Sequence, residues 1–185
     1  MRLIEQDLRI SGEFMEDVKR KQVLEYAVEG FRNGLNCAES IFDAMHRAGM
    51  LNMPKEAIAM CVGFGAGIGM SGYTCGALSA AVMVLGAQNG RPDPWAIDAK
   101  ERGAEIAKKH YRQYNCLVHD FVQANGSALC REINAIGGYQ WQDKERKAKC
   151  MKIVVQTAGL VYDYLTMPQE QAYAMEYKEN MAGMK

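Results

Sequence analysis

From Ala57 to Gly90 the chain carries no charged residue, and an apolar stretch of that length must be buried in protein or lie in lipid. A membrane-spanning helix needs about 20 apolar residues in one run. Here Gly63, Gly65, Gly67, Gly69, Gly72 and Gly76, with Ser71, Tyr73 and Thr74, interrupt the run at its centre. Two shorter apolar pieces are left, Ala57 to Phe64 and Ala77 to Leu85. They read as a buried helix pair joined by a glycine-rich turn, and no membrane span is expected.

Elsewhere the spacing is helical. Phe14, Val18, Val23, Tyr26, Ala27 and Phe31 recur at intervals near three to five, and Asn33-Gly34 supplies a C-terminal stop. Asn36 is placed to cap a second helix whose apolar face holds Cys37, Ile41, Met45 and Ala48, closed by Gly49. Pro54 and Glu56 suit a first helical turn. Asp93-Pro94-Trp95 opens a long charged helix expected to run toward His119, with Ile97, Ala104, Ile106, Tyr111 and Tyr114 inside. Ser127 is a candidate cap that puts Cys130 in the first turn of the next helix. Ala148, Met151, Val154, Ala158, Val161 and Leu165 mark another long amphipathic helix, which stops before Pro168.

No period-2 run of useful length interrupts this pattern. The expected fold is all-α, a single-domain bundle of about six or seven helices whose core spans about residues 13–167. The tail, residues 168–185, could form a short helix packed on this chain or on a neighbour.

A chain of 185 residues can bury a real core without disulfide staples. Its 22 basic residues balance 22 acidic ones, which leaves no electrostatic footprint for nucleic acid or for an anionic membrane. The segment Met1-Arg2-Leu3-Ile4-Glu5-Gln6-Asp7 has no apolar core of the kind a secretory signal needs, so a cytoplasmic address is expected. Structural disulfides do not persist in that reducing compartment, so metal binding, redox chemistry and plain burial are the roles open to the six cysteines.

Four of those cysteines, Cys37, Cys75, Cys130 and Cys150, stand in separate sequence blocks. Cys37 follows a cap, Cys75 follows the glycine turn and Cys130 falls in a first turn, so three of the four are expected at helix N-termini. Unpaired N–H groups and the helix dipole favour thiolate there and should lower the thiol pKa toward neutrality. Arg131, Arg146 and Lys147 add positive charge beside Cys130 and Cys150. Cys61 and Cys116 sit in apolar and tyrosine-rich surroundings and are read as core residues. With no CxxC pair, spacing alone leaves two readings of the quartet open: convergence on a common centre, or small packing residues at helix starts.

Other patterns are weaker. Gly67-x-Gly69-x-x-Gly72 matches a dinucleotide fingerprint by letters, but no strand precedes it, so a turn that admits close backbone approach is the better role. His46, His110 and His119 are isolated and form no zinc-enzyme motif. Glu39 and Asp43 share a helix face near Cys37 and could hold a proton or a metal, though a solvated face explains them as well. Met60, Met83 and Met151 lie on apolar stripes and read as core filling.

The blocks together resemble a known family. Gly34-Leu35-Asn36-Cys37-Ala38, Gly63-Phe64-Gly65-Ala66-Gly67 running into Cys75-Gly76-Ala77-Leu78, Gly126-Ser127 before Cys130-Arg131-Glu132, and finally Cys150 look like the redox-active family named for the pattern C_GCAxxG_C_C. The likeness covers roughly residues 22–165, with Glu39 standing where glutamine is expected. That family is similar to the helical domain of split-Soret cytochromes, where such a cysteine set accompanies an iron–sulfur centre. The resemblance implies that Cys37, Cys75, Cys130 and Cys150 are ligands of an iron–sulfur cluster, 2Fe–2S ahead of 4Fe–4S, with zinc as the alternative occupant. No Cys-x-x-Cys-His occurs, so covalent haem is not expected.

Three functions are carried forward. The first is electron transfer or redox sensing with an unknown redox partner protein. The second is a thiol–disulfide oxidoreductase that uses two of the same cysteines, Cys37 with Cys75. The third is a zinc-stabilised interaction module. A homodimer is compatible with all three, and no side-chain pattern names an enzyme reaction.

Overall fold

Asn36 shows how closely local chemistry sets the helix boundaries. Its Oδ1 accepts hydrogen bonds from the backbone N–H groups of Ala38 (2.8 Å) and Glu39 (3.0 Å), and Glu39 Oε2 accepts from the Asn36 N–H at 2.9 Å. This reciprocal capping box starts the second helix at Cys37, as the sequence predicts. It also uses the Glu39 carboxylate, while Asp43 pairs with Arg47 at 3.4 Å, so both acids have structural partners.

The computed structural model describes the backbone of residues 2–136 and 138–184, and the side chains of residues 15, 16, 18–136 and 138–184. In chain order the elements are α1 (Arg2–Arg32), α2 (Cys37–Arg47), a 3-10 segment (Lys55–Phe64), α3 (Gly76–Asn89), a short 3-10 turn (Pro94–Ala96), α4 (Arg102–Lys108), α5 (His110–Asn125), α6 (Cys130–Ala135), α7 (Lys144–Thr166) and α8 (Gln169–Ala174). The fold is all-α. Among the described residues the one strand-like pairing is an isolated antiparallel bridge between Thr74 and Leu129. No helix there is long and apolar enough to cross a membrane.

The helix α2 packs against α1, α3 and α7, and α3 in turn packs on α7. Ile41, Phe42 and Met45 of α2, Val84 and Leu85 of α3 and Val154, Ala158 and Val161 of α7 are buried together. From α1, Val23 and Ala27 join this core, while Val18 is exposed and the side chain of Phe14 lies outside the described residues. Burying such side chains stabilises the fold by about 1.5–3 kcal/mol each for the larger ones, so this four-helix contact holds the site region in place.

Three sequence-based expectations give way here. The segment from Ala57 to Phe64 is not a buried α-helix but part of the 3-10 segment, with three residues per turn. That period brings Ile58, Cys61 and Phe64 to one face, where Cys61 is fully buried, and turns Met60 (52 % exposed) and Val62 (68 % exposed) to the outside. Met60 is therefore not core filling.

The long helix expected from Asp93 toward His119 is divided. Asp98 stops the chain first: its carboxylate accepts from Lys100 N–H and its carbonyl from Arg102 N–H, while Arg102 returns to the Ile97 carbonyl. A second break falls at Lys109 (φ −118°, ψ −76°), after which His110 is buried with Tyr173 edge-on to its ring at 5.2 Å. Ala104 and Tyr111, expected inside, are exposed. This division and the added α8 bring the described residues to eight α-helices, more than the six or seven expected.

The tail belongs to its own chain. After α8 it lies along α5, where Arg112 donates to the Met175 carbonyl (2.8 Å), Cys116 Sγ to the Glu176 carbonyl (3.2 Å) and Asn115 accepts from Lys178 N–H (2.7 Å).

Candidate functional site

Each member of the cysteine quartet enters from a different element. Cys37 is the first residue of α2, Cys75 occupies the N-cap of α3, Cys130 is the first residue of α6 and Cys150 lies in the second turn of α7. The three expected helix starts are all present. Ser127, expected as the cap of Cys130's helix, sits two residues ahead of the N-cap position. Its hydroxyl accepts from Leu129 N–H (3.0 Å) and donates to Glu132 (2.6 Å), which holds the approach to α6.

Backbone pairing brings two of these starts together. Across the Thr74–Leu129 bridge, Cys75 N–H donates to the Ala128 carbonyl at 2.8 Å and Cys130 N–H to the Tyr73 carbonyl at 2.7 Å. The α3 and α6 N-termini are thus tied side by side. The α2 start joins them through Gly76: a Cβ there would stand 2.6 Å from the Phe64 carbonyl oxygen and 3.3 Å from Cys37 Cβ. Only glycine leaves room at this position for the Phe64 carbonyl and Cys37.

The loop between the 3-10 segment and α3 closes over this group. Residues 66–70 all have positive φ, with Ala66 at 55°, Ile68 at 65° and Met70 at 67° among them. Left-handed backbone costs an L residue about 1–2 kcal/mol, and a β-branched one such as Ile68 is hard to hold there. Hydrogen bonds across the loop offset that cost, including Gly69 N–H to the Gly63 carbonyl (2.8 Å) and Tyr73 N–H to the Gly67 carbonyl (3.0 Å). Gly67 itself presses on the site, because a Cβ at that position would come within 2.7 Å of Cys130 Cβ. The GxGxxG letters thus serve a tight left-handed turn against a cysteine, with no strand before them.

Cys37, Cys130 and Cys150 line one cavity of about 420 Å³, with Asn36, Trp141 and Arg146 on its walls and Val62 and Met70 at its edge. Cys75 is outside that lining and 6 % exposed, yet close enough for its charge to raise the Cys37 thiol and for Cys130 and Cys150 to raise its own. Arg146 donates toward Cys150 Sγ at 3.8 Å and Asn134 toward Cys130 Sγ at 3.5 Å. Among the described residues no group of three or more His, Cys, Asp or Glu side chains is arranged to hold a metal ion.

The thiols do not ionise as their helix positions predict. Burial pushes Cys37 well above the ordinary thiol range, and the neighbouring Cys75, Cys150 and Cys130 push in the same direction. Cys75 is raised to about 11, again first by burial, although the Ala77 and Leu78 backbone N–H groups pull it down. Cys130 and Cys150 are raised by burial against the lowering effect of Arg146, with Lys149 also helping Cys150. The helix-end N–H groups act in the expected sense, but loss of solvent is the larger effect.

Cys61 and Cys116 are buried in apolar packing, as expected, and neither lines the cavity. Asn134, Trp141 and Lys149 were not legible as site residues. The available signals were weak: Asn134 stands one helical turn after Cys130, and Trp141 stands five residues before Arg146, whose guanidinium lies 4.0 Å over its ring.

The family model described as "Putative redox-active protein (C_GCAxxG_C_C)" matches residues 35–164. An uncharacterized protein of Archaeoglobus fulgidus is 30 % identical over 130 residues, covering 69 % of this chain and 83 % of that protein. No solved structure matches.

Proposed function

This chain belongs to the C_GCAxxG_C_C redox-active family, and from that premise we propose that Cys37, Cys75, Cys130 and Cys150 hold an iron–sulfur cluster used in electron transfer or redox sensing. The observation that carries this reading is that Cys37, Cys130 and Cys150, from three elements, line one cavity, with Cys75 from a fourth close enough to act on their ionisation. Four thiolates are the donor set of 2Fe–2S and 4Fe–4S centres. Ligands drawn from four separate elements are compatible with a centre of several metal atoms, which spreads them apart. Such a cluster, when bound, supplies a one-electron couple. The chain's own residues supply the thiolates, a buried setting and cationic neighbours in Arg146 and Lys149.

The thiol pKa pattern weighs against a thiol–disulfide oxidoreductase. An attacking cysteine needs a thiolate near neutral pH, whereas Cys37 and Cys75 are both shifted the other way by burial. Metal coordination removes that obstacle, since a bound thiol is deprotonated outright.

The test is anaerobic purification or reconstitution followed by iron, acid-labile sulfide and visible absorbance. Iron with sulfide is expected, and replacing Cys37, Cys75, Cys130 or Cys150 by Ser should lower both, while Cys116→Ser should not. Zinc without sulfide, or a reversible Cys37–Cys75 disulfide with no metal, would overturn the assignment.

A further inference from the structure

The strained loop spends its strain on an outward-facing surface. Ile68 and Met70, both left-handed, are 45 % and 66 % exposed, so neither gains core packing in return. Backbone strain of this kind persists where surrounding structure enforces it, and it concentrates at functional surfaces. Met60, Val62 and Tyr73 on the same chain segment are also exposed, as is Trp141, which lines the cysteine cavity. Val62, Met70 and Trp141 line that cavity themselves, so part of this apolar surface borders Cys37, Cys130 and Cys150.

The charge placed at this opening is positive. Arg131 holds the Ser71 and Gly72 carbonyls at 3.2 Å each and lies 4.5 Å over the Tyr73 ring, while Arg146 and Lys147 stand on the cavity wall. Two carboxylates close by in sequence are turned to caps: Glu39 to the Asn36 N–H and Glu132 to the Ser127 hydroxyl. An apolar centre with a cationic rim complements a partner that is apolar at its contact point and acidic around it.

We propose that this face docks a small acidic one-electron carrier protein, with its apolar spot on Ile68 and Met70 and its carboxylates facing Arg131 and Lys147. The inference rests on the cluster reading above and adds the partner class. One electron leaves the reduced carrier, whose iron passes from ferrous to ferric, and one iron held by the quartet passes from ferric to ferrous. No bond is made and no proton moves. Electron-transfer contacts of this type are small and transient, and methionine's flexible side chain suits a surface that must be made and released quickly.

The experiment follows reduction of cluster-loaded protein by stopped flow under strict anaerobiosis, using pre-reduced plant-type 2Fe–2S ferredoxin as the acidic carrier and dithionite as the small reductant. In the wild type the ferredoxin rate should fall as salt rises. In Ile68→Asp/Met70→Asp, and separately in Arg131→Glu, it should drop by about tenfold or more when compared at matched iron and sulfide content, and by much more than the dithionite rate does. Aspartate tolerates left-handed backbone better than isoleucine, so the double variant does not burden folding. Wild-type rates in both variants would overturn the docking assignment alone. A wild-type dimer that the double variant splits would give the face to a second copy. Absence of iron and sulfide in the wild type would instead remove the cluster reading, and the docking with it.

Discussion

Arg146 reaches Cys150 from a fixed stance: its Nη1 lies 3.8 Å from the sulfur while its Nε donates to the Trp141 carbonyl at 2.6 Å. The guanidinium also stacks on the Trp141 ring, so the charge is held in place by two contacts that do not involve the cysteine. On the proposed cluster assignment, a cation fixed beside the Cys150 sulfur favours the more reduced, more negative state. Arg146→Gln should therefore lower the midpoint potential, by about 40 mV if the lost interaction is worth roughly 1 kcal/mol, with Arg146→Lys in between. Protein-film voltammetry at matched iron content measures this, and an unchanged potential would show that Arg146 only braces Trp141.

Gly76 predicts a steric result. Adding a methyl group there meets the Phe64 carbonyl oxygen at 2.6 Å, backbone against which nothing can swing aside. Gly76→Ala should cost about 1–3 kcal/mol in urea unfolding and, on the proposed cluster assignment, should lower iron incorporation, because the end of the 3-10 segment at Phe64 must move away from α3. Gly63→Ala is the control, since no heavy atom stands within 4 Å of a Cβ there. Its effect should stay within about 0.5 kcal/mol.

Cys61 sets a pH dependence that can be read in metal-free protein. Burial, with help from Glu39, raises its thiol to about 11 from an ordinary value of 9.0. The unfolded chain loses this proton near pH 9 and the folded chain holds it until about pH 11, so the stabilisation is complete below pH 9 and is lost as pH rises between those values. Two units correspond to roughly 2–3 kcal/mol. Urea titrations at pH 8 and pH 11 should show a loss of stability that is smaller by about that amount in Cys61→Ala; equal losses in both proteins would refute the assignment.

Asn36 and Cys61 were readable in advance for the same reason: their roles depend on a few flanking residues. A cap needs only its own helix turn, and a small thiol inside Ile58-Ala59-Met60-Cys61-Val62 has apolar neighbours whichever fold forms. The outward side of that segment was not readable, because apolar composition does not distinguish a 3.6 period from a 3.0 period over so few residues. The break at Lys109 was hidden too, since its neighbours favour helix on both sides and burial of His110 beside Tyr173 involves a residue far along the chain.

The amino-acid sequence by itself determined an all-α chain, the starts of α2, α3 and α6, and the separation of four cysteines into four segments. These follow from caps, glycines and apolar spacing, which act within a turn or two of helix. Tertiary structure alone decided that the α2, α3 and α6 starts meet, through the Thr74–Leu129 bridge and the close approach at Gly76, that Cys150 of α7 lines the same cavity as Cys37 and Cys130, and that burial overrides the helix-end lowering of thiol pKa. Desolvation depends on every atom that replaces water around a sulfur, and most of those atoms come from elements distant in sequence.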